Sequence, residues 1–177
     1  NKKKILNRSI HNLNVKIIET GQDTLTGGRI LRAKKYIGND DFFLTYGDCV
    51  SDINIKKFLN FHKKNKKIAT VTAVNPRTQY GSIKIKKDLV YSFQEKPLLS
   101  DNLISGGFFV FKKNIFNLLK NDNTILEREP LEILVKKNQL CAYSHKGFWH
   151  PMDNLRDKTN LNEMWEQNRA PWKKFFK

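Results

Sequence analysis

The sequence predicts an α/β fold: a mostly parallel sheet flanked by helices, with one antiparallel β-hairpin added. Three observations lead there. Unbroken apolar runs at 42–46 and 68–75 read as strands buried on both faces, as in a parallel sheet. Between them, Ile55, Phe58, Leu59 and His62 recur at helical spacing over 52–65, so strand and helix alternate along the chain. At 81–93, Ile83 and Ile85 alternate with Lys84 and Lys86, then Val90, Tyr91 and Phe93 follow a turn at Lys87-Asp88, the pattern of a hairpin with one solvated face.

Taken in order, residues 1–12 are polar and carry no periodic signal, and 15–20 reads as a strand. A loop rich in glycine and hydroxyls follows, Gly21-Gln22-Asp23-Thr24-Leu25-Thr26-Gly27-Gly28. It is either a plain turn with a helix cap or a loop presenting backbone N–H groups to an anion. Arg29 opens a helix that Gly38 ends. The 42–46 strand stops at Gly47 and Asp48, where a carboxylate at a strand end either binds a ligand or metal or caps the next helix. Asp52 is the expected N-cap of that helix, which runs to about Asn65. Residues 103–111 form a strand with Gly106 and Gly107 embedded in it, and glycine inside a strand marks a bulge or a close backbone approach. A short helix at 115–120, a longer one at 124–138 with Pro130 in its first turns, a strand at 140–144 and a final helix from Leu155 to about Gln167 complete the reading, with Asp153 or Asn154 as the last cap.

The bulk numbers limit the function classes. At 177 residues, 39% apolar and 11% aromatic, the chain suits one domain with a substantial core. No apolar run approaches the roughly 18 residues of a membrane span, and the opening Asn1-Lys2-Lys3-Lys4-Ile5-Leu6 has no apolar signal-peptide core, so a cytoplasmic location without membrane contact is expected. Cys49 and Cys141 stand far apart and form no zinc spacing. The net charge of +16 would suit a nucleic-acid binder. Yet lysine outnumbers arginine several-fold and is spread along the whole chain, so nucleic acid is not the expected partner. The same charge attracts small anionic substrates.

Four elements in order, Tyr46-Gly47-Asp48, Glu95-Lys96-Pro97, Ser105-Gly106-Gly107-Phe108-Phe109 and Gly147-Phe148-Trp149-His150-Pro151-Met152-Asp153, resemble the sugar nucleotidyltransferase family. Its members join a nucleoside triphosphate to a sugar 1-phosphate and release pyrophosphate. Thr26-Gly27-Gly28-Arg29, Asn154-Leu155-Arg156-Asp157-Lys158 and the ending Ala170-Pro171-Trp172-Lys173 look most like the glucose-1-phosphate cytidylyltransferase branch. The resemblance implies a Rossmann-like nucleotidyltransferase sheet and transfer from CTP to glucose 1-phosphate, giving CDP-glucose for deoxysugar synthesis in surface polysaccharide. Another nucleotide and sugar pair, or a noncatalytic binding homologue, are the alternatives; keeping both Asp48 and Asp153 speaks against the latter.

By the same resemblance, Asp48 and Asp153 hold Mg²⁺, Glu95 accepts hydroxyl bonds from the sugar, and Lys96 holds the sugar phosphate as a compact cation. Gly106 and Gly107 let the sugar lie on the backbone, while Thr24, Arg29 and Gly47 contact the nucleotide. Trp149 is expected in the core, and Arg128 and Glu129 in structural or interfacial positions. A homo-oligomer is expected from the resemblance and from Trp172, Phe175 and Phe176 in the tail. Two departures stand out. Cys49 occupies a position where the branch usually has glycine, and no GGxGTR-type loop is present. The chain is therefore expected to match the C-terminal two-thirds of one such domain, with negligible catalysis by residues 1–177 alone.

Overall fold

The computed structural model describes residues 5–10, 13–76, 82–94 and 103–176. Its ten strands and four helices among these residues fall into two interleaved units. The first comprises residues 1–42, 67–69 and 111–140; the second comprises 43–66, 70–110 and 141–177.

In the first unit, β1 (Ile5–Ile10) and β2 (Leu13–Ile18) form an antiparallel ladder from Ile5↔Ile18 to Ile10↔Leu13. β1 lies in a stretch read as irregular, because a two-stranded ladder is made by backbone groups and needs no side-chain period. Helix α1 (Thr26–Ala33) starts three residues before Arg29 and passes into a 3₁₀ turn at Lys34–Tyr36. A second 3₁₀ segment, Lys113–Leu118, buries Ile115 and Phe116, and the ring of Phe42 stacks on Phe116 at 5.7 Å. Helix α3 (Glu129–Lys136) begins later than the apolar spacing suggests, because Pro130 belongs in a first turn, where its missing N–H costs nothing. Leu126 and Leu134 are fully buried beside these elements.

The second unit holds nearly all of a four-stranded sheet in the order β3-β8-β5-β9, made from β3 (Phe42–Thr45), β5 (Ala69–Val74), β8 (Ile104–Phe111) and β9 (Leu140–Ser144). Neighbours that are not consecutive in sequence require crossover connections, as the alternating pattern demands. β5 is buried nearly throughout, as expected of a central strand. β3 is not: it lies at the sheet edge, alternates in burial, and leaves Phe43 44% exposed. Helix α2 (Ile55–Asn65) packs Phe58 into a core with Ile53 and Val110, while Ile55 faces outward. His62 is fully buried and bonds Thr70 Oγ1 at 2.8 Å.

The hairpin β6 (Ser82–Lys86) and β7 (Leu89–Gln94) turns on Lys87 and Asp88, whose φ values of 45° and 67° give the mirror-image turn that suits strand twist. Both of its faces are exposed rather than one; Ile83, Ile85, Leu89, Tyr91 and Phe93 each expose half their surface or more. Two three-residue strands, β4 (Cys49–Ser51) and β10 (Trp149–Pro151), pair antiparallel, and α4 (Leu155–Glu166) follows β10. Among the described residues no helix is long and apolar enough to cross a membrane.

Candidate active site

The site is built on the short β4–β10 ladder. Its register pairs Ser51 with Trp149, Val50 with His150 and Cys49 with Pro151. At one end the Met152 N–H donates to the Asp48 carbonyl at 2.6 Å, and at the other the Asp52 N–H donates to the Phe148 carbonyl at 3.1 Å. Asp48 precedes the ladder and Asp153 leaves it at the same end, so two carboxylates far apart in sequence are brought together. The Cys49 thiol reports this meeting. Its pKa is pushed up first by burial and then by the charge of Asp48, with Asp153 adding to the rise and a hydrogen bond involving Thr45 opposing it.

Neither carboxylate has the capping duty that its sequence position allows. The N-cap of α2 is Asn54, whose Oδ1 accepts from the Lys57 N–H at 2.9 Å, not Asp52 or Asp48. The N-cap of α4 is Asn154, which accepts from the Asp157 N–H at 3.0 Å, while the Asp157 carboxylate takes the Asp153 N–H at 3.3 Å. The Asn154 side chain thus caps the third helical residue, while that residue's carboxylate reaches past the cap to the N–H of Asp153. Among the described residues, no donor is bonded to the side chain of Asp48 or Asp153.

Two hard oxygen donors suit Mg²⁺, which takes one or two carboxylates and fills its remaining positions with phosphate and water. Among the described residues no group of three or more His, Cys, Asp or Glu side chains could hold a metal. The donor set therefore fits a cation shared with a phosphate ligand better than a closed structural metal.

The glycines next to this ladder separate into two kinds. A Cβ on Gly106 would lie 2.6 Å from Thr72 Oγ1, and one on Gly107, at φ +74°, would lie 2.9 Å from the Tyr46 ring. Trp149 Nε1 donates to the Gly106 carbonyl at 2.8 Å, and the Tyr46 N–H donates to the Gly107 carbonyl at 3.2 Å. Close packing by the chain itself thus accounts for both glycines, and it gives half-buried Trp149 a partner for its indole N–H. Gly47 differs: a Cβ there would meet nothing within 4 Å.

Thr24 and Arg29 belong to the first unit. Thr24 is buried, and Arg29 donates to Thr20 Oγ1 at 2.7 Å and to the Gln22 carbonyl at 3.0 Å, closing the loop on itself. The N–H groups of Leu25, Gly27 and Gly28 at the start of α1 are already engaged. Gly27 and Gly28 donate to the Thr124 carbonyl at 2.9 and 3.2 Å, and Leu25 donates to the Asp122 carbonyl at 2.8 Å. A Cβ on Gly28 would sit 2.5 Å from that Asp122 oxygen, so the glycine pair admits the crossing backbone rather than an anion.

Thr26 Oγ1 donates to Glu127 at 2.7 Å and accepts from the Leu126 N–H, while Glu129 pairs with Lys120. An open concavity of about 510 Å³ in this unit is lined by Leu31, Arg32, Lys34, Lys35, Ile37 and Lys113, none of them an expected site residue. Glu95 and Lys96 lie outside the described residues. Trp172 packs its ring 5.0 Å from that of Phe148, within the second unit.

The sequence reading missed Asn54 as the cap of α2 and left the cap of α4 open between Asp153 and Asn154, of which the structure takes Asn154. The Asn154-x-x-Asp157 spacing was the available signal for that choice. It also missed a side-chain cluster of Ser51, Asp52 and His145 at the far end of the ladder. The Ser51 hydroxyl donates to the Phe148 carbonyl at 2.8 Å, and Asp52 Oδ1 accepts the Phe148 N–H at 2.8 Å.

Known proteins similar to this chain identify its family. The family model described as Nucleotidyl transferase matches residues 2–167. The glucose-1-phosphate cytidylyltransferase of Salmonella typhimurium is 43% identical over 174 residues, which cover 98% of this chain and 68% of that protein. A probable glucose-1-phosphate cytidylyltransferase of Bacillus subtilis is 41% identical over 160 residues, covering 90% of this chain and 63% of the relative. The solved structure of HddC from Yersinia pseudotuberculosis complexed with GMP-PN superposes with a TM-score of 0.62 at 26% identity, over 88% of this chain and 69% of that one. With a matching family model over nearly its whole length, a mixed α/β sheet of the same kind and two such curated relatives, the chain belongs to the nucleotidyl transferase family.

Proposed function

We propose that this chain is part of a glucose-1-phosphate cytidylyltransferase, which joins CTP to glucose 1-phosphate and releases pyrophosphate to give CDP-glucose. The observation that carries the reading is the meeting of Asp48 and Asp153 at the end of the β4–β10 ladder, with their local capping duties done by Asn54 and Asn154. The names of the Salmonella typhimurium and Bacillus subtilis relatives supply the substrate pair.

The chemistry asks for two anions to be brought together. An oxygen of the sugar phosphate attacks the α-phosphorus of the nucleotide in line, the bond to the pyrophosphate oxygen breaks, and charge builds on the phosphoryl oxygens. Mg²⁺ held by Asp48 and Asp153 would neutralise that charge when bound. The protein's own groups do the positioning. Lys96 holds the sugar phosphate and Glu95 accepts from sugar hydroxyls, fixing which oxygen faces the phosphorus. Gly47 leaves open space beside Asp48 for a close backbone approach by the nucleotide. A cytoplasmic homo-oligomer supplying CDP-glucose for surface polysaccharide completes the reading.

The test is pyrophosphate release by the full-length gene product with glucose 1-phosphate and Mg²⁺, offering CTP, UTP, dTTP and ATP in turn. Release with CTP alone is the expected result. Release with another nucleotide would move the base preference and keep the reaction, while no release with any of the four would overturn the proposal.

A further inference from the structure

We infer that Ser51, Asp52 and His145 are positioning residues: a side-chain clamp that sets the register of β4 on β10 and through it the separation of Asp48 and Asp153. The inference rests on the metal-site reading above. Its starting point is the crowding of one imidazole nitrogen. His145 Nε2 lies 3.1 Å from Asp52 Oδ1, 3.1 Å from Ser51 Oγ and 3.1 Å from the Phe148 carbonyl oxygen. The Ser51 hydroxyl spends its own hydrogen on the Phe148 carbonyl, so all three neighbours face Nε2 as acceptors. Nε2 therefore carries the N–H, and one donor is shared among a carboxylate, a hydroxyl oxygen and a backbone carbonyl.

The cluster is sheltered, with the His145 side chain 9% exposed and that of Asp52 17%. Its partners reach into three parts of the second unit. The His145 N–H bonds the Ala73 carbonyl at 2.9 Å, at the end of β5; Asp52 takes the Phe148 N–H; Ser51 is the last residue of β4. Gly147, in the turn between His145 and Phe148, lies against the cluster: a Cβ there would collide with Asp52 Oδ1 and lie 2.7 Å from His145 Cε1, so a larger residue would have to displace the clamp itself.

A ladder of three residue pairs is too short to hold its own register, since few backbone bonds oppose a slip. The clamp ties both strands to β5 at one end, and the two carboxylates emerge at the other. A slip of one residue would carry Asp153 about 3.3 Å along the ladder relative to Asp48, enough to separate two ligands of one cation.

The experiment compares the full-length wild-type protein with His145→Phe, His145→Gln, Ser51→Ala and Asp48→Asn. Mn²⁺ is the probe ion, with free Mn²⁺ followed by electron paramagnetic resonance, and backbone exchange is followed at the Met152 amide. His145→Phe removes the shared donor; it is expected to weaken Mn²⁺ binding about tenfold, the scale on which outer partners of a metal site act, and to speed Met152 exchange about tenfold. His145→Gln keeps an N–H donor and is expected to restore both to within about twofold. Ser51→Ala is milder and shifts both in the same direction, so it decides the matter if His145→Phe does not fold. Unchanged Mn²⁺ affinity and unchanged Met152 exchange in His145→Phe, or in Ser51→Ala where that variant decides, would overturn the clamp. Unchanged Mn²⁺ affinity in Asp48→Asn would instead overturn the metal reading, and Met152 exchange would still decide whether the clamp sets the ladder.

Discussion

Two stretches of this chain invite the same interpretation and turn out differently. Thr26-Gly27-Gly28-Arg29 and Tyr46-Gly47-Asp48 are both glycine-containing segments at the border of regular structure, where backbone and charge could meet a phosphate. At the first, both glycines and the arginine have partners in the chain itself: the Gly27 and Gly28 N–H groups go to Thr124, the Cα of Gly28 faces the Asp122 backbone, and Arg29 is spent on Thr20 and Gln22. At the second, the local work is done by others. Asn54 and Asn154 cap the helices, a Cβ on Gly47 would meet open space, and no described donor holds the Asp48 or Asp153 carboxylate. The difference teaches that a carboxylate relieved of structural duty by a neighbour is better evidence of a ligand site than a glycine-rich loop, whose glycines can be explained by packing alone.

The strongest way to break this comparison is to remove each charge in turn. Asp48→Asn and Asp153→Asn are each expected to lower turnover by about 100- to 1,000-fold, the scale of losing one preorganised electrostatic partner of a developing charge. Their melting temperatures should stay at or above that of the wild type, because neither side chain holds the fold and their mutual repulsion is relieved. Steady-state kinetics with calorimetry on the same samples checks both halves. A variant that melts early and turns over normally would show that its aspartate is structural after all.

Gly28→Ala probes the opposite region. A methyl placed 2.5 Å from the Asp122 carbonyl oxygen has no flexible side chain to displace, so the backbone of one segment must move. The expected cost is roughly 1–3 kcal/mol of stability, read as a lower denaturation midpoint. Gly47→Ala, with open space around it, should leave the midpoint within about 0.5 kcal/mol of the wild type. Equal midpoints for the two variants would erase the distinction between a packing glycine and an approach glycine.

Much of the framework was legible because its elements announce themselves locally. The buried strand β5, the glycine-bearing β8, β9, the Lys87-Asp88 hairpin and helices α2 and α4 follow from run length, alternation and helical spacing. What was not legible depends on partners distant in sequence. β3 reads as a buried strand from its composition, but only the order β3-β8-β5-β9 makes it an edge with Phe43 outside. The reason for Gly28 is a backbone crossing at Asp122, and the reason for Gly147 is a clamp between Asp52 and His145. Neither has a signature within its own segment. The two aspartates were found through the order of four motifs, whereas the carboxylate–cysteine proximity that joins them needed the ladder register.

Capping offers a finer test of the same division of labour. Asn154→Ala removes the acceptor for the Asp157 N–H and should cost about 1 kcal/mol, the usual worth of an N-cap side chain. Its effect on the nucleotidyl-transfer rate should be small beside that of Asp153→Asn one residue away. The two neighbours thereby exchange roles: one variant loses stability and keeps turnover, the other keeps stability and loses turnover. If Asp153→Asn destabilised the protein more than Asn154→Ala did, the cap would have been assigned to the wrong residue.

The smallest expected effect belongs to the first unit and is a matter of pH. Arg32 donates to both carboxylate oxygens of Asp122, and this bond, reinforced by charge and opposed by desolvation, holds the Asp122 carboxyl below the usual carboxylate value. The guanidinium of Arg32 is raised in turn. Because the folded value lies below the unfolded one, the unfolded chain binds the proton first as pH falls. The pair therefore contributes its stability above the ordinary carboxylate range and loses it as pH drops through the depressed folded value. Both side chains are substantially exposed, at 40% and 47%, so solvent and salt keep the contribution small. Asp122→Asn leaves the backbone carbonyl that receives the Leu25 N–H and removes the charge together with one of the two oxygens that accept from Arg32. Denaturation midpoints of wild type and variant should differ near neutral pH and draw together as pH falls from about 4, the ordinary carboxylate value, toward the depressed folded one. A gap that persists at low pH would mean that the acceptor oxygen lost in the variant, and not the carboxylate charge, sets the difference between the two proteins.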